Sequence, residues 1–262
     1  TPFKDNHVPD LSYVESAVKN IIPTLQKGAL VILESTSPVG TTHKIQELIF
    51  KERPDLKGEI FIAYCPERVL PGNVIYELEQ NDRAIGGIDD ESTEKAVWFY
   101  KHFVKGELHK TNSQTAEMCK LVENSSRDVQ IAFANELSMI CDKANINVWE
   151  LIRLANKHPR VNILQPGTGV GGHCIAVDPW FIVSEFPEES KIIRSAREIN
   201  NYKTEWAIEK VKNTALQFKL TSLTEAKNIC DIMVFLVAHK EFKGLNGEIQ
   251  MQVLDFCGII NK

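Results

Sequence analysis

Residues 29–50 read ALVILESTSPVGTTHKIQELIF, an apolar run that leads through a polar turn into a segment with helical spacing. Short apolar runs bounded by turn residues are typical of buried strands. Similar runs at residues 59–64 and 83–87 stand between segments of helical periodicity at 10–25 and 91–102. Strands that alternate with helices predict an α/β fold, in which a parallel sheet is covered on both faces.

Polar residues follow two of these predicted strands at the point where each strand ends. Ser35 and Thr36 come after the first run, and Pro66, Glu67 and Arg68 come after the second. Ligands of open α/β sheets bind outside the carboxyl ends of the strands. We therefore expect these residues to line a binding site.

The pattern changes to long helices after residue 112. Residues 113–145 predict one helix and 148–157 a second, followed by a glycine-rich loop at 165–174 and another helix at 191–216. Possible strands at 232–237 and 252–256 provide too little alternation for a complete α/β domain. Apolar residues recur along the first helix at intervals of three, four or seven, which indicates a continuous apolar stripe: Met118, Val122, Val129, Phe133, Leu137, Ile140 and Ala144.

Composition limits the classes of protein that remain. The chain has 262 residues, of which 43% are hydrophobic and 25% charged, so we expect one large or two modest globular domains. No apolar run reaches the roughly 18 residues that span a bilayer, and the net charge of −5 gives no footprint for nucleic acid. The first ten residues carry no secretory signal, and the six cysteines form no CxxC pair or zinc pattern. These features favour a reduced, cytoplasmic protein without a structural metal.

The loop QPGTGVGGHC, residues 165–174, carries the most informative candidate, Cys174. A cysteine that follows a glycine-rich turn can have its thiolate stabilised by backbone amides or a helix N-terminus. Asp178, four residues later, is a candidate for proton movement or for orienting a water. The alternative is a loop that needs glycine for its turns and holds a buried, inert cysteine.

Lys120 and Asn124 are four residues apart in the long predicted helix and therefore share a face, which Asp128 continues. An ammonium and an amide placed together can stabilise an oxyanion on a substrate. The alternative is a solvated helix face.

Three further candidates each have a plainer structural interpretation. Glu67 can act as a base or contact a ligand, or can form a surface ion pair with Arg68. Arg160 can contact phosphate or sugar hydroxyls, or can be a cation at a helix end. Ser35 and Thr36 can belong to a binding site or can cap the helix that follows them.

Five segments, taken together, resemble the UDP-glucose/GDP-mannose dehydrogenase family, and they occur in the family's order. They are STSPVGTT (35–42), CPERVLPGN (65–73), AEMCKLVENSSRD (116–128), NKHPRVNILQPGTGVGGHCIAVDPWF (156–181) and REINNYK (197–203). The resemblance implies three parts: residues 1–108 as the second half of a Rossmann-like NAD-binding domain, 109–203 as a central long-helix dimerisation and catalytic domain, and 204–262 as a partial second Rossmann-like domain that binds the UDP-sugar.

The family oxidises the C6 alcohol of a nucleotide sugar to a carboxylate with two NAD⁺. By resemblance, Cys174 attacks the C6 aldehyde to give a thiohemiacetal, which is oxidised to a thioester that water hydrolyses. Lys120 and Asn124 are then expected to stabilise charge on the C6 oxygen, and Asp178 to serve proton transfer or water activation. Thr36 would position water near the nicotinamide.

The resemblance also implies contacts with substrate, cofactor and a second subunit. Glu67 is expected to lie beside the substrate, and Arg160 to reach it from the neighbouring subunit of a homodimer formed through residues 113–145. The remaining expected contacts are Arg68, Asn162 and Gly171 for the UDP-sugar, and Thr1, Pro2, Ser35 and Thr36 for NAD.

The sequence departs from the family pattern at several points. Pro71 stands where UDP-glucose relatives have a second glutamate, and Val177 where many members have a lysine. A GxGxxG turn between a strand and a helix is absent, since the glycines at 167–172 follow a loop. We therefore expect an incomplete chain that binds NAD⁺ weakly.

The motifs are most similar to the branch of the family that acts on UDP-N-acetyl-D-mannosamine. Three other functions remain open: the same chemistry on UDP-N-acetylglucosamine, a non-catalytic nucleotide-sugar-binding or dimerisation module, and a thiol hydrolase. The last of these requires a histidine base, and His173 is adjacent to Cys174, so its ring points elsewhere on a regular backbone.

Overall fold

A computed structural model describes residues 2–4, 7–69, 72–214, 232–236 and 252–257. Four strands form one sheet in the order of their numbering: β1 (Leu30–Leu33), β2 (Phe61–Tyr64), β3 (Arg83–Gly87) and β4 (Leu108–Asn112). The helices of the described residues are α1 (Ser12–Ile21), α2 (Thr41–Glu52), α3 (Val74–Gln80), α4 (Asp90–Tyr100), α5 (Ser113–Ala144), α6 (Val148–Ala155), α7 (His173–Glu185) and α8 (Lys191–Thr214). A second pair of strands, β5 (Ile232–Phe235) and β6 (Gln252–Asp255), is parallel.

The strand directions confirm the α/β class and depart from the prediction at one pairing. β1 and β2 are parallel, with Leu33 opposite Tyr64, and β3 and β4 are also parallel. β2 and β3 are antiparallel, with Ala63 opposite Gly87. An apolar run gives a strand's burial but not its direction, so the entirely parallel sheet that the sequence predicted is wrong at this pairing.

The chain divides into two compact units, which we call the first unit (residues 1–125 and 177–190) and the second unit (126–176 and 191–262). The sheet β1–β4 belongs to the first unit, and both of its faces are covered. Ile62 packs with the buried side chains of α1 and α2, whereas Ala63 packs with those of α4. Successive side chains of a strand point to opposite faces, so these two clusters lie on opposite sides of the sheet, as predicted. The predicted domain boundaries at 108 and 203 stay a prediction.

The long helix α5 lies within one residue of its predicted bounds. It differs from the usual amphipathic pattern because part of its apolar stripe is exposed and several of its polar side chains are buried. Val122, Phe133 and Ile140 of the apolar stripe are 44–56% exposed. The residues that α5 buries include an unusual number of polar ones: Glu117, Ser125, Asp128, Asn135 and Ser138. An outward apolar stripe and a buried polar face together indicate that α5 serves more than core packing.

Three elements were not predicted from the sequence: α3, β4 and α7. The last is the most important for function, because the predicted loop ends at Cys174 whereas α7 begins at His173 and continues through Pro179. Among the described residues, no helix combines the length and apolar character that a membrane crossing requires. Thr1, Leu70 and Pro71 and most of residues 215–262 lie outside the described residues.

Candidate active site

The loops after β1 and β2 meet at one edge of the sheet because these strands are parallel. The Cys65 amide donates to the Leu33 carbonyl at 3.0 Å, and the Glu67 amide donates to the Glu34 carbonyl at 3.4 Å. The predicted grouping of residues 35–36 with 66–68 at the carboxyl ends is therefore found.

The Ser35 carbonyl is anchored from two sides, which fixes the loop that carries Thr36. The Tyr64 hydroxyl donates to it at 3.2 Å, and the Ser37 hydroxyl donates to it at 2.9 Å. Burial raises the pKa of Tyr64, so its phenol remains a proton donor at neutral pH. The side chain of Ser35 is exposed and that of Thr36 is half-buried, so both remain accessible to a ligand.

The N-terminus of α2 is capped from α5 by Glu117, whose carboxylate is fully buried. It accepts hydrogen bonds from the Gly40 amide at 2.6 Å and from the amide and hydroxyl of Thr42, each at 2.7 Å. Gly40 occupies the N-cap position with φ +85° and has no side chain of its own to cap the helix. The alternative role of Ser35 and Thr36 as caps of this helix is therefore wrong.

Two predicted catalytic residues contact each other directly in the first unit. The Asn124 amide donates to Oδ2 of Asp178 at 2.5 Å. Asp178 is buried, and Asn124 and Lys120 are half-buried. The bond fixes the orientation of the Asn124 amide, since only its nitrogen can donate to a carboxylate. The solvated-face alternative for Lys120 and Asn124 does not fit this burial.

Glu67 and Arg68 do not form the ion pair that was considered for them. The Arg68 guanidinium pairs with Glu123 of α5 at 2.5 Å and contacts the Asp82 carbonyl at 3.5 Å. Glu67 is exposed, and its carboxylate accepts from the Val69 amide. Arg68 is thus held against α5, while Glu67 faces solvent.

An apolar cavity of about 490 Å³ lies in the first unit beside β1. Pro2, Ser35 and Thr42 line it together with the apolar side chains of Val31 and Leu33. Its volume falls in the range of about 300–1,000 Å³ that small organic ligands occupy. Two of the residues predicted to contact the cofactor, Pro2 and Ser35, therefore share one cavity.

In the second unit, Cys174 is exposed in the first turn of α7. The Ala176 amide donates to the Gly172 carbonyl at 3.3 Å, which closes the first turn of the helix around the cysteine. Backbone N–H groups at a helix N-terminus favour negative charge nearby. The exposure of Cys174 contradicts the alternative of a buried cysteine.

The glycine-rich loop is tied to neighbouring elements of the same unit. The Gly167 amide donates to Oδ1 of Asn135 at 2.9 Å, and the Thr204 hydroxyl donates to the Thr168 carbonyl at 2.6 Å. Gly171 has φ +66°, a conformation that other residues rarely adopt. Gly171 is therefore required by the turn, while the other glycines of the loop keep its surface free of side chains.

Arg160 and Asn162, the other predicted substrate contacts, are both exposed on the preceding loop. This loop is closed by Asn156, which donates to the Ile163 carbonyl at 2.9 Å and accepts from the Ile163 amide at 2.7 Å. The pair of bonds holds the segment that carries Arg160 and Asn162 as a defined turn.

Asp128 does not continue the face of Lys120 and Asn124 toward a ligand. Its side chain is fully buried and pairs with Arg197 at 2.6 Å. Arg197, Glu117 and Asn135 are not among the residues that the sequence predicted for the site. A signal was present, because Glu117, Asp128 and Asn135 are spaced by 11 and 7 residues and so mark one polar face of α5.

Within the described ranges, no three His, Cys, Asp or Glu side chains are grouped closely enough to hold a metal ion. Four cysteines of the described residues are unpaired: Cys65, Cys119, Cys141 and Cys174.

Comparison with known proteins gives matches along most of the chain. The model of the UDP-glucose/GDP-mannose dehydrogenase family's NAD binding domain matches residues 1–104, and that of its central domain matches 114–202. The chain is 62% identical over 220 residues to the UDP-N-acetyl-D-mannosamine dehydrogenase of Escherichia coli K12, covering 81% of this chain and 52% of that protein. It is 56% identical over 227 residues to the NDP-N-acetyl-D-galactosaminuronic acid dehydrogenase of Ralstonia nicotianae, covering 84% and 54%. The chain thus spans about half the length of these curated relatives.

A solved structure resembles almost the whole chain. The UDP-D-ManNAc dehydrogenase of Pyrococcus horikoshii superposes with a TM-score of 0.85 at 34% identity, covering 99% of this chain and 76% of that one.

Proposed function

Because the chain belongs to the UDP-glucose/GDP-mannose dehydrogenase family, we propose that it oxidises C6 of UDP-N-acetyl-D-mannosamine to give UDP-N-acetyl-D-mannosaminuronate, with NAD⁺ as oxidant. The observation that carries this proposal is the 62% identity over 220 residues with a dehydrogenase named for that substrate. The exposed Cys174 at the start of α7 and the bonded pair Asn124–Asp178 supply the chemistry.

NAD⁺, when bound, accepts one hydride in each of two successive oxidations. Pro2 and Ser35 line a cavity of suitable volume for part of such a ligand, and Thr36 follows on the same loop. We assign these residues to cofactor contact. Thr1, the fourth residue expected there, lies outside the described residues.

Cys174 acts as the nucleophile. The first oxidation converts the C6 alcohol into an aldehyde, to whose carbon the Cys174 thiolate adds, giving a thiohemiacetal. Loss of a second hydride and the hydroxyl proton gives a thioester. Water then attacks the thioester carbon, the carbon–sulfur bond breaks, and the carboxylate and the thiolate are released. Four electrons leave the sugar, two in each oxidation.

Lys120 and Asn124 stabilise negative charge on the C6 oxygen. An ammonium and an amide N–H are both donors, and donors held in place before reaction stabilise developing charge most effectively. The Asn124 amide uses one N–H for Asp178 at 2.5 Å, which leaves the second N–H for the substrate oxygen. Asp178 in turn accepts a proton from the attacking water, or directs that water.

Thr36 and Glu67 are assigned to water and to the sugar. The loop of Thr36 is held by the two bonds to the Ser35 carbonyl, so its hydroxyl has a defined place from which to orient water. Glu67 is exposed at the end of the adjacent strand and is assigned to contact with the substrate. Arg68, Asn162 and Gly171 are the remaining residues that we assign to the UDP-sugar.

We further infer a homodimer formed through α5. Val122, Phe133 and Ile140 lie on one stripe of this helix and are 44–56% exposed, which is costly unless a partner covers them. Arg160, exposed on its closed loop, is then the residue that reaches the neighbouring subunit's substrate. The unpaired Cys65, Cys119, Cys141 and Cys174 suit the cytoplasm, where we place the protein.

The test is NADH formation from UDP-N-acetylmannosamine, UDP-N-acetylglucosamine and UDP-glucose, with protein of verified intact mass. We expect about two NADH per UDP-N-acetylmannosamine, loss of turnover in Cys174→Ser, and normal turnover in the matched control Cys257→Ser. Preference for another sugar would keep the mechanism and replace the substrate. UDP-sugar binding without NADH formation would instead favour a non-catalytic binding or dimerisation module.

A further inference from the structure

A cluster of four polar side chains is buried in the second unit, between α5 and α8. Asp128, Asn135, Arg197 and Asn200 are each at most 3% exposed. Arg197 Nη1 donates to Oδ1 of Asp128 at 2.6 Å, and Asn200 Nδ2 donates to the same oxygen at 2.8 Å. Asn135 Nδ2 donates to Oδ1 of Asn200 at 2.9 Å, so the four side chains are connected in sequence.

This cluster contacts the glycine-rich loop and the first turn of α7. In the loop, Oδ1 of Asn135 accepts from the Gly167 amide at 2.9 Å. In α7, Nη1 of Arg197 donates to the carbonyl of Ile175 at 3.4 Å. Cys174 is the residue immediately before Ile175, so the second contact is made one peptide bond from the proposed nucleophile.

The second contact has a local cause in the sequence of α7. In a regular helix the carbonyl of residue 175 accepts from the amide of residue 179. Residue 179 is proline, which has no N–H, so the Ile175 carbonyl lacks its helical donor. Arg197 supplies a donor to it from α8. Pro179 thus leaves the Ile175 carbonyl without a helical donor, and the Arg197 guanidinium donates to it instead.

We propose that Asp128, Asn135, Arg197 and Asn200 are positioning residues, which hold the segment 167–175 at Gly167 and at Ile175 and thereby fix the place of the Cys174 Sγ. The inference rests on the proposed function in so far as Cys174 is the nucleophile. None of the four touches substrate in this assignment, because each is buried among the others.

The composition of the cluster suits positioning better than stability. A buried ion pair contributes little to the net free energy of folding, because the cost of desolvating the two charges offsets their attraction. Burial even raises the pKa of Asp128, although Arg197 and Asn200 oppose that shift. Oδ2 of Asp128 and Nε of Arg197 have no hydrogen-bond partner among the described residues, which adds to that cost. The bonds that the cluster does make nevertheless specify the arrangement of the groups that they join.

The experiment measures how fast iodoacetamide alkylates Cys174 in the folded protein, followed by the mass of its peptide, together with kcat and KM for the nucleotide sugar. Asn135→Ala removes the acceptor of the Gly167 amide. We expect the alkylation rate to change by at least about fivefold and kcat to fall by about tenfold or more, with KM within about twofold, because small misplacements of reacting groups are costly. Asn135→Asp keeps an acceptor for Gly167 and should recover part of both rates.

Ser125→Ala is the matched control, because the Ser125 hydroxyl is also buried on α5 but donates only to the Leu121 carbonyl of its own helix. Should Asn135→Ala fail to fold, Arg197→Lys takes its place, since it keeps the charge beside Asp128 but loses the guanidinium fork. Folded variants that alkylate and turn over like the wild type would overturn the proposal. Altered alkylation in a protein whose Cys174→Ser variant still forms NADH would uphold the network and refute the role of Cys174.

Discussion

Glu117 connects α5 to the first turn of α2, and its replacement tests how firmly the Ser35–Thr36 loop is held. Its buried carboxylate accepts from the Gly40 amide and from the amide and hydroxyl of Thr42, at 2.6–2.7 Å. Glu117→Gln has almost the same shape, but it replaces one acceptor oxygen by an NH₂ group that faces another donor. The change therefore removes charge and one hydrogen bond while it leaves the packing of the helix intact.

The expected loss follows from the groups left without an acceptor. One buried amide that loses its partner costs about 1–3 kcal/mol, and loss of a negative charge at a helix N-terminus costs about 0.3–1 kcal/mol more. Part of this is offset, because burial raises the pKa of Glu117 and the ionised carboxylate is itself costly to bury. We expect Glu117→Gln to lower the free energy of unfolding at pH 7.5 by about 2 kcal/mol.

Urea unfolding measures that loss, and amide hydrogen exchange locates it. The amides of Gly40 and Thr42 should exchange faster in the variant, whereas those of β3 should be unchanged except through the lower global stability. Glu136→Gln is the control, because Glu136 is exposed on the same helix and its replacement should stay within about 0.5 kcal/mol of wild type. A Glu117→Gln protein as stable as this control, with normal exchange at residues 40–42, would refute the capping role.

Two further changes probe the sheet and the buried lysine of α8. A Cβ at Gly86 would lie 2.1 Å from the Asn112 carbonyl oxygen, so Gly86→Ala must force β3 and β4 apart. We expect the free energy of unfolding, measured with urea, to fall by about 3 kcal/mol or more. A fall of less than about 1 kcal/mol would contradict this packing. Lys203 is buried over the Trp206 ring and donates to the Ser138 hydroxyl at 2.8 Å, and burial lowers its pKa from 10.5 to about 8. The unfolded chain therefore binds more protons than the folded one between about pH 8 and 10.5. The free energy of unfolding of the wild type should rise with pH across that window by about 3 kcal/mol relative to Lys203→Met. Parallel pH profiles of the two proteins would show that the lysine is not desolvated.

The strand ends were predictable from the sequence because local signals fix them. The runs at 29–33 and 59–64 contain the strands β1 and β2, and parallel pairing alone brings Ser35 and Glu67 to one edge. The direction of β3 was not predictable, because its residues are buried on both faces and read the same in either orientation.

The helix α7 was not predicted because two local signals both oppose a helix. Glycines at 171 and 172 precede it, and Pro179 lies inside it, so local propensity favours a loop before the helix and a break within it. The helix forms nevertheless, and the Ile175 carbonyl that the proline leaves open is bonded by Arg197. Such compensation depends on a residue 22 positions away along the chain, which no local pattern reports.

The two faces of α5 differ from those of a helix that packs only into a core. The periodicity predicts an apolar stripe, of which Phe133 and Ile140 are exposed, while Asp128 and Asn135 are buried. Asp128 and Asn135 are buried against hydrogen-bond partners on α8, 65 to 72 residues later, although Oδ2 of Asp128 has no partner among the described residues. Within the first unit α5 bonds Gly40 and Thr42, which follow the loop of Thr36, and within the second unit it bonds Gly167 of the loop that leads to Cys174. The apolar stripe is then free for a second subunit, which is how the proposed dimer and the proposed catalytic loops come to depend on the same helix.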